Sequence, residues 1–449
     1  MYKKILCFPL GWHHPQFIKI YEKLNNRKYF SEAEILIFDK RIMKAEKGYS
    51  HDAIKISFID KNEIKSDGKY DLTDMEAKYG IPNLKLITLH EYRNPNKKIS
   101  ISDYILFWEE YIKSRSPDLI FLSYPANLSI IIFYLVCRNL GIKILLMSNV
   151  RLFNRAVVRD GKSLDSLFDK WPGLVQEYDK IKKKGLTQSE VEKYRNLING
   201  LHKKLPTPWY INVKKKMSLR ILDTLHDLNL SKVKRFFKYR YYKYFSYKGF
   251  SETPKSPYFF IPLHYEPEMA LDLLAPFFRD QHSLIKYIHQ SLPANHNLVI
   301  KEHPAMDGNR NPAFFRDLNK LENIVIIKRE KSSYDFLTDE FCKGIITINS
   351  TTGFESMIFK KPVITFGESF YSQAYDICKK VTDLTKLPQV LLDVKNWEYD
   401  EKKLLCFIHA IHNLSFEGFV GLNDKMPWTL EDPNITAIVD EIEKRHPNN

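Results

Sequence analysis

The sequence predicts an α/β protein with two consecutive open sheets that hold a cleft between them. Short apolar runs alternate with amphipathic stretches in residues 1–150, and the same alternation returns after residue 250. Strand–helix–strand order at this spacing is typical of parallel sheets. A chain of 449 residues is also long enough to bury two hydrophobic cores.

Nine apolar runs, bounded by turn residues, predict the strands of the two sheets. In the first half, a helix over residues 128–140 separates two of these strands and ends at Gly141, where a glycine cap belongs. The predicted strands are residues 4–10, 34–39, 119–124, 142–148, 258–263, 298–301, 324–327, 344–348 and 362–366.

The region between the two halves differs in character. Residues 151–250 are polar and largely helical in pattern, and a linker stiffened by two prolines follows them. Residues 251–395 then form the second α/β domain. The tail, residues 396–449, is helical in pattern, and we expect it to pack back on the body of the protein.

The amino-acid composition limits which binding partners and which cellular compartment we expect. The formal net charge of +15, from 69 basic and 54 acidic residues, suggests an anionic partner such as a membrane surface, a glycan, a nucleotide or a nucleic acid. The five cysteines are scattered without a Cys-x-x-Cys pair, which favours a reducing compartment over a disulfide framework or a zinc site. No apolar run approaches the roughly 20 residues of a membrane-spanning helix. We expect a cytoplasmic protein, with peripheral attachment to the inner face of the cytoplasmic membrane left open.

Polar clusters follow three predicted strands of the second half, at the edge where open α/β sheets bind ligands. The first cluster contains His264, Glu266 and Glu268. These side chains could hold sugar or ribose hydroxyls, or share acid–base work. Alone, the cluster also fits a proline-rich turn with solvated charges.

The second cluster is Lys301-Glu-His-Pro304. Lys301 and His303 could contact a diphosphate and offset the charge of a leaving group. Arg310, in the polar loop that follows, could close on the same ligand. The alternative is an ordinary exposed strand end, and Glu302 weakens a purely cationic site.

The third cluster is a strand–turn–helix that begins at Ser350. Ser350, Thr351 or Thr352 would be the N-cap, with Glu355 as a capping-box partner. Free N–H groups and hydroxyls at a helix N-terminus bind phosphate, but the pattern equally fits a capped helix with no ligand.

In the N-terminal half, His13 and His14 follow the first predicted strand. Either could act as a base toward an acceptor hydroxyl, and a pair of surface-loop histidines fits as well. Residues 124–127 and 149–151 also lie at predicted strand ends. The sequence contains no Asp-x-Asp pair, which is the usual metal-holding pair of one large class of transferases. A transferase here would therefore neutralise its leaving group with a helix dipole and basic side chains and not with a metal.

A basic and aromatic block occupies residues 232–248. It could lie on an anionic bilayer, or form a helix whose aromatic side chains pack on the body. Binding of single-stranded nucleic acid is disfavoured because no nucleic-acid-binding fold accompanies it. The cationic residues proposed to contact a membrane or acceptor are Lys234, Arg235, Lys238, Arg240 and Lys243.

With these residues in view, the second half resembles the bacterial capsule polysaccharide biosynthesis family, which includes the β-Kdo transferases. The resemblance covers roughly residues 256–390. It implies a GT-B fold, in which two Rossmann-like domains face a cleft, the C-terminal domain holds the nucleotide-sugar donor, the N-terminal domain holds the acceptor, and no metal or other cofactor is needed. The matching segments are Pro262-Leu-His-Tyr-Glu-Pro-Glu268, Lys301-Glu-His-Pro304, Ser350-Thr-Thr-Gly-Phe-Glu355, Lys361-Pro-Val-Ile-Thr-Phe-Gly367 and Phe370-Tyr371.

In the Kdo transferases a Gln-Pro-Glu motif and a His-Pro motif serve the donor, CMP-Kdo. His303-Pro304 matches the second motif fully, whereas the first reads Glu266-Pro267-Glu268, so the Gln is replaced and Glu268 is retained. The teichoic-acid polyol-phosphate transferases look similar too, and they would use a CDP-polyol.

We therefore expect a metal-independent glycosyltransferase of cell-surface polysaccharide biosynthesis, with a nucleotide-sugar donor and a glycan or lipid-linked acceptor. His303 and the turn at residues 350–352 would bind the donor phosphate, Glu268 and Glu355 would hold hydroxyls, and Lys301 would add charge. A CDP-polyol phosphotransferase and a non-catalytic protein that binds glycan or lipid intermediates are the alternatives.

Overall fold

The structure is a computed structural model of the chain. It contains two compact units, Met1–Tyr178 with His409–Asn449, and Asp179–Ile408. We call them the first and second units. The structure describes residues 2–9, 14–37, 51–60, 64, 72–80, 101–123, 128–150, 154–163, 169–204, 237–242, 244, 250–266, 268–272, 274–306, 308–327, 331–421 and 426–447.

The first unit is built on a seven-stranded sheet with the order β13-β6-β5-β4-β1-β2-β3. Strands β1 to β5 pair in parallel, whereas β6 and β13 are antiparallel additions at one edge. Every residue of β4 is buried, as expected for a central parallel strand covered on both faces. The strands are β1 Tyr2–Phe8, β2 Phe30–Ile37, β3 Ile54–Phe58, β4 Leu119–Ser123, β5 Lys143–Val150, β6 Arg155–Asp160 and β13 Phe416–Glu417.

Helices connect these strands and bring the C-terminal tail onto the first unit. The last helix, α14, packs against α1, and the apolar side chains of both join one core with the strands of the sheet. No helix among the described residues is both long and apolar enough to cross a membrane. The helices of this part are α1 His14–Asn26, α2 Leu72–Tyr79, α3 Ile101–Arg115, α4 Leu128–Asn139 and α14 Asp432–Arg445.

The second unit is built on a six-stranded sheet with the order β12-β11-β10-β7-β8-β9. All neighbouring strands are parallel, which is the Rossmann arrangement. The strands are β7 Tyr258–Pro262, β8 Asn297–Lys301, β9 Ile324–Ile327, β10 Cys342–Thr347, β11 Val363–Thr365 and β12 Lys379–Lys380.

Helices of the second unit pack on its sheet. Two further helices, Leu174–Lys184 and Glu401–Leu414, contain the chain positions at which the two units divide. The core combines strand residues such as Phe259 and Ile346 with helix residues such as Leu284 and Leu391. The helices are α5 Leu174–Lys184, α6 Gln188–Lys204, α7 Met269–Asp272, α8 Gln281–Gln290, α9 Pro312–Leu318, α10 Ser333–Thr338, α11 Thr351–Ile358, α12 Leu387–Lys395 and α13 Glu401–Leu414.

The predicted α/β class, with two Rossmann-like sheets, is confirmed, and each of the nine predicted strands is present within a few residues of its expected bounds. The interpretation of residues 151–250 as largely helical is wrong at its start, because β6 there extends the first sheet. Strands β3, β12 and β13 were also not predicted. They are short, and all three lie at sheet edges, so the apolar pattern that marks a buried strand is weak.

The compact units also divide the chain at different residues from the predicted domains. The first unit extends past residue 150 to Tyr178, because β6 pairs with β5. The chain returns to the first unit at His409, because the segment after α13 pairs with β6 and α14 packs on α1.

A buried glutamine ties α1 to the tail. Gln16 Nε2 donates to the carbonyl oxygens of Phe419 at 2.8 Å and Thr429 at 2.9 Å, and its Oε1 accepts from the N–H of Gly421 at 2.5 Å. Asn149 makes a similar paired contact with the backbone of Val420. Its predicted place at a strand end is correct, but its amide binds the tail.

Replacing Gln16 by Ala should destabilise the protein by about 1–3 kcal/mol, because buried backbone groups of the tail lose their partners. The matched control is Lys19→Ala on the same helix, which removes a single exposed bond to the Leu430 carbonyl and should change stability by less than about 0.5 kcal/mol. Urea unfolding followed by circular dichroism measures both, and equal effects would contradict the role given to Gln16.

Candidate functional site

The ends of three strands of the second unit meet where its strand order reverses. The chain proceeds from β7 through β8 to β9, and then continues at β10 on the other side of β7. In open α/β sheets, ligands bind outside the carboxyl ends of the strands at this switch point. The segments there are residues 263–268 after β7, 302–310 after β8 and 348–352 after β10. We call them the switch-point site.

His264 links two of these segments. Its side chain is buried, and its Nε2 accepts the backbone N–H of Asn349 at 3.4 Å, which joins the end of β7 to the end of β10. A ring nitrogen that accepts a hydrogen bond carries no proton, so the proton of the neutral ring lies on Nδ1. That atom is 3.8 Å from Oε2 of Glu268. The imidazole is therefore oriented from both sides.

His303 has the opposite tautomer. Its Nδ1 accepts the N–H of Ala305 at 3.2 Å, so its proton lies on Nε2, the atom that can donate to a ligand oxygen. Burial lowers the pKa of His303, and the nearby carboxylate of Glu268 offsets this only in part. The ring is consequently a neutral hydrogen-bond donor near pH 7, with its orientation set by the backbone of the following turn.

Arg310 links two of the segments through buried contacts. Its Nε donates to Glu302 Oε2 at 2.5 Å, and one terminal nitrogen donates to the His264 carbonyl at 2.8 Å. The other terminal nitrogen lies 3.3 Å from Glu266 Oε2. Only 5% of the side chain is exposed. Burial opposes the charge of Arg310, but the combined attraction of Glu302 and Glu266 outweighs it, so the pKa of the guanidinium is raised.

Gln281, the first residue of α8, completes this network. Its Oε1 accepts the His264 N–H at 2.7 Å, and its Nε2 donates to the His264 carbonyl at 3.3 Å and to the Glu266 carboxylate. Glu266 is thus engaged by two protein side chains, those of Arg310 and Gln281.

Ser350 is the N-cap of α11, but its side chain does not cap the helix. The Ser350 hydroxyl accepts a hydrogen bond from Thr347 Oγ1 at 2.9 Å, and the predicted capping box with Glu355 is not formed. The first N–H groups of α11 are therefore not capped by the side chain that usually does so. The positive end of the helix dipole lies beside His264 and Asn349.

Tyr371 fixes the start of α11. Its hydroxyl donates to the Ser350 carbonyl at 2.7 Å, and its ring crosses the helix at Gly353. A Cβ at Gly353 would lie 2.6 Å from the Tyr371 hydroxyl and 2.7 Å from Cζ. Only glycine allows this close approach of ring and helix.

The other predicted donor residues lie in or beside the same three segments. Lys301, the last residue of β8, is buried, as is Thr352, whereas Thr351 and Glu355 are half-buried. Of Glu266, Glu268 and Glu302, Glu268 is the most open, with 40% of its side chain exposed against 27% for Glu266 and 8% for Glu302.

The remaining predicted residues belong to other parts of the chain. His14 begins α1 in the first unit, and Lys238 and Arg240 are exposed on a helical segment at residues 237–242 of the second unit. His13, Lys234, Arg235 and Lys243 lie outside the described residues, as do positions 124–127 and 151. Within the described ranges, no three His, Cys, Asp or Glu side chains cluster in the manner of metal ligands.

Sequence reasoning missed Gln281, and it gave no structural role to Tyr371. Gln281 lies on the buried face of an amphipathic helix, directly after its N-cap Asp280, and a polar residue on such a face is the one signal that was available. Tyr371 belongs to the Phe370-Tyr371 pair in the family resemblance, but its contact with Ser350 joins residues 21 positions apart.

Residues 175–374, the part of the chain that contains the switch-point site, match a sequence model of a known family. The match is to the capsule polysaccharide biosynthesis proteins. It confirms the resemblance predicted from the motifs.

Individual relatives are more distant. Protein FixF of Sinorhizobium fredii (strain NBRC 101917 / NGR234) is 26% identical over 176 residues, which are 37% of this chain and 40% of FixF. The match therefore spans less than half the length of this curated relative.

Among solved structures, Thermosulfurimonas dismutans KpsC, a beta Kdo 2,7 transferase, is similar at a TM-score of 0.40 and 13% identity, over 84% of this chain and 97% of that one. The UDP-GlcNAc 2-epimerase of Methanocaldococcus jannaschii is similar at 0.34 and 12%, over 92% and 99%. At this level of similarity the two structures indicate neither a substrate nor a reaction.

Replacing Gly353 by Ala should displace the Tyr371 ring and destabilise the second unit by about 1–3 kcal/mol, as overpacking in a well-packed region does. Tyr371→Phe keeps the ring and removes the hydroxyl that donates to Ser350, so it should cost about 1 kcal/mol. Thermal unfolding compares the variants, and a Gly353→Ala variant as stable as the natural protein would contradict the packing described.

Proposed function

We propose that the protein is a metal-independent GT-B glycosyltransferase of capsular or other cell-surface polysaccharide biosynthesis. It transfers a sugar from a nucleotide-activated donor to a glycan or lipid-linked acceptor. The nucleotide-sugar binds at the switch-point site, and the acceptor is held by the first unit, where His13 or His14 serves as the base.

The observation that carries this proposal is the convergence of His264, His303 and the α11 N-terminus at the switch point. All three lie within the segment that matches the capsule polysaccharide biosynthesis family. A neutral donor, a helix dipole and uncapped N–H groups are the groups expected around a nucleotide phosphate. They would stabilise a departing phosphate without a metal.

The geometry of each group supports the role that we propose for it. His303 Nε2–H donates to a phosphate oxygen of the donor, because its Nδ1 is already occupied by Ala305. The N–H groups and hydroxyls of Thr351 and Thr352 hold the same phosphate. Glu268, as the most open carboxylate of the three compared, binds hydroxyls of the sugar or ribose.

The first test is nucleotide binding without added metal. We expect one of CMP, CDP, UDP, GDP and dTDP to raise the unfolding temperature, and a ligand at about 100 times its dissociation constant adds roughly 2.7 kcal/mol. His303→Ala should weaken that binding by roughly tenfold to a hundredfold, because a hydrogen bond to a charged group is lost. His303→Gln can still donate from its amide and should bind with intermediate affinity.

The matched control is His289→Ala, which removes a histidine of the same unit that contacts only the Glu322 carbonyl among the contacts described. It should bind nucleotide as the natural protein does. CMP alone as ligand favours a Kdo-like or sialic-acid-like donor, and CDP alone favours the polyol-phosphate transferase. If no nucleotide binds and transfer activity is absent, the non-catalytic alternative replaces this proposal.

The acceptor is brought to the enzyme at an anionic membrane surface. In residues 237–244, Phe237, Tyr241 and Tyr244 have 66%, 56% and 62% of their surface exposed, and their spacing places them along one side of a helix. Lys238 and Arg240 are exposed beside them. Exposed aromatic and cationic side chains together are typical of helices that lie in the bilayer interface.

This segment contacts the loop of the second unit to which we assign donor binding. The Tyr239 ring packs on Gly308, which has a φ of +69°, and a Cβ there would lie 2.5 Å from the ring. Gly308 belongs to the loop between His303 and Arg310. A membrane contact at Lys238 and Arg240 would therefore be close in space to the donor loop.

Lys238→Glu with Arg240→Glu should weaken binding to vesicles of mixed phosphatidylglycerol and phosphatidylcholine by about tenfold or more, since each basic residue near such a surface contributes about 1 kcal/mol. Lys320→Glu with Lys360→Glu makes the same change in net charge at other exposed positions. Co-sedimentation measures both, and equal losses would show a general charge effect instead of a specific surface.

A further inference from the structure

Arginine is a residue type that often binds ligands, but the contacts of Arg310 are with other groups of the protein. All three of its nitrogens contact protein acceptors, namely Glu302, Glu266 and the His264 carbonyl. The face of its guanidinium is covered by the ring of Phe314, 4.8 Å from Cζ. With 5% of the residue exposed, little of it remains for a ligand.

The contacts of Arg310 extend to the groups that would touch the donor. Glu302 Oε1 accepts the backbone N–H of His303 at 2.5 Å, so the cation holds the carboxylate that holds His303. Through the carbonyl of His264, the same cation holds the end of β7, where the His264 ring contacts Asn349 at the start of the α11 turn. Arg310 and His264 together thereby connect all three segments of the switch-point site.

We propose that Arg310 is a positioning residue for donor binding, which acts by holding the carboxylate of Glu302 in place and does not contact the nucleotide. This inference rests on the proposed function. It also explains how Glu266 replaces the glutamine of the family motif, since the added carboxylate faces Arg310 and Gln281.

The charge balance of the cluster makes the proposal testable by pH. Glu302 is buried and faces Arg310 as its cation and Glu266 as a second anion. Burial raises the pKa of Glu302, and Arg310 opposes that rise. Without Arg310 the pKa of Glu302 would be higher still, because burial and Glu266 would act unopposed.

The charges around the neighbouring His303 are those of Glu268, His264 and Lys301, besides Arg310. Loss of Arg310 also removes one of the charges that lower the pKa of His303. The variant that combines Arg310→Met with Glu302→Gln separates the two groups, because a pH dependence that it loses reports Glu302 and one that it keeps reports His303. If the pKa of Glu302 is higher in the folded protein than in the unfolded chain, the stability that Glu302 contributes is present at low pH. That contribution is lost as the pH rises through the folded-state pKa.

The experiment is a double-mutant cycle with Arg310→Met, Glu302→Gln and their combination. The affinity for the nucleotide that binds the natural protein is measured by calorimetry from about pH 5.5 to about pH 8.5, a range that covers a raised carboxyl pKa. We expect Arg310→Met to bind about tenfold or more weakly at the high end, because an unpaired buried carboxylate disrupts the site. Its affinity should recover as the pH falls.

The combined variant should bind within about threefold of the natural protein at every pH, since the neutral amide that Glu302→Gln introduces needs no cation. Arg310→Met that binds as tightly as the natural protein at every pH would overturn the proposal. So would a loss that is equal at every pH and is not rescued by Glu302→Gln, because that pattern marks direct contact with the nucleotide.

Thermal unfolding of the same variants, without nucleotide, keeps the two proposals distinguishable. If the natural protein binds no nucleotide, the proposed function fails, and a pH-dependent loss of stability in Arg310→Met that Glu302→Gln removes still supports the positioning of Glu302 by Arg310. If Arg310→Met does not fold, the combined variant decides by the same criteria, with Arg310→Lys as a variant that retains the charge.

Discussion

The switch-point site depends on one buried guanidinium. Arg310 lies between the carboxylates of Glu302 and Glu266 and also binds the carbonyl of His264. A buried cation is tolerated only when its partners satisfy it, and removing one partner of such a pair is strongly destabilising. The geometry is therefore restrictive: the loop after β8 and the loop after β7 must take the conformations that deliver these acceptors.

The order of the strands in the sheet determines where these loops meet. Because β10 returns beside β7, the ends of β7, β8 and β10 are neighbours although they are far apart in the chain. The two histidines there carry opposite tautomers, each set by a backbone N–H. Rigid strands thus present groups of fixed polarity at one edge, which is the preorganisation that the proposed binding of a nucleotide phosphate would require.

Much of the second unit could be predicted because buried parallel strands are continuous apolar runs, and polar residues directly after them mark the functional edge. Four strands were missed because they do not have this pattern, and β13 pairs with β6 over more than 250 positions. Gln281 was missed for a related reason: its partners, His264 and Glu266, lie 17 and 15 positions away on another element.

The sequence by itself determined the α/β class, the order of most strands along the chain and the three clusters at their ends. Only the tertiary structure decided what each polar group does. Arg310 turns inward to a cluster of carboxylates, Ser350 binds Thr347 and leaves the helix start uncapped, and Asn149 binds the tail at Val420. The physical reason is that local composition sets which groups need a partner, whereas the packing of distant segments sets which partner each group meets.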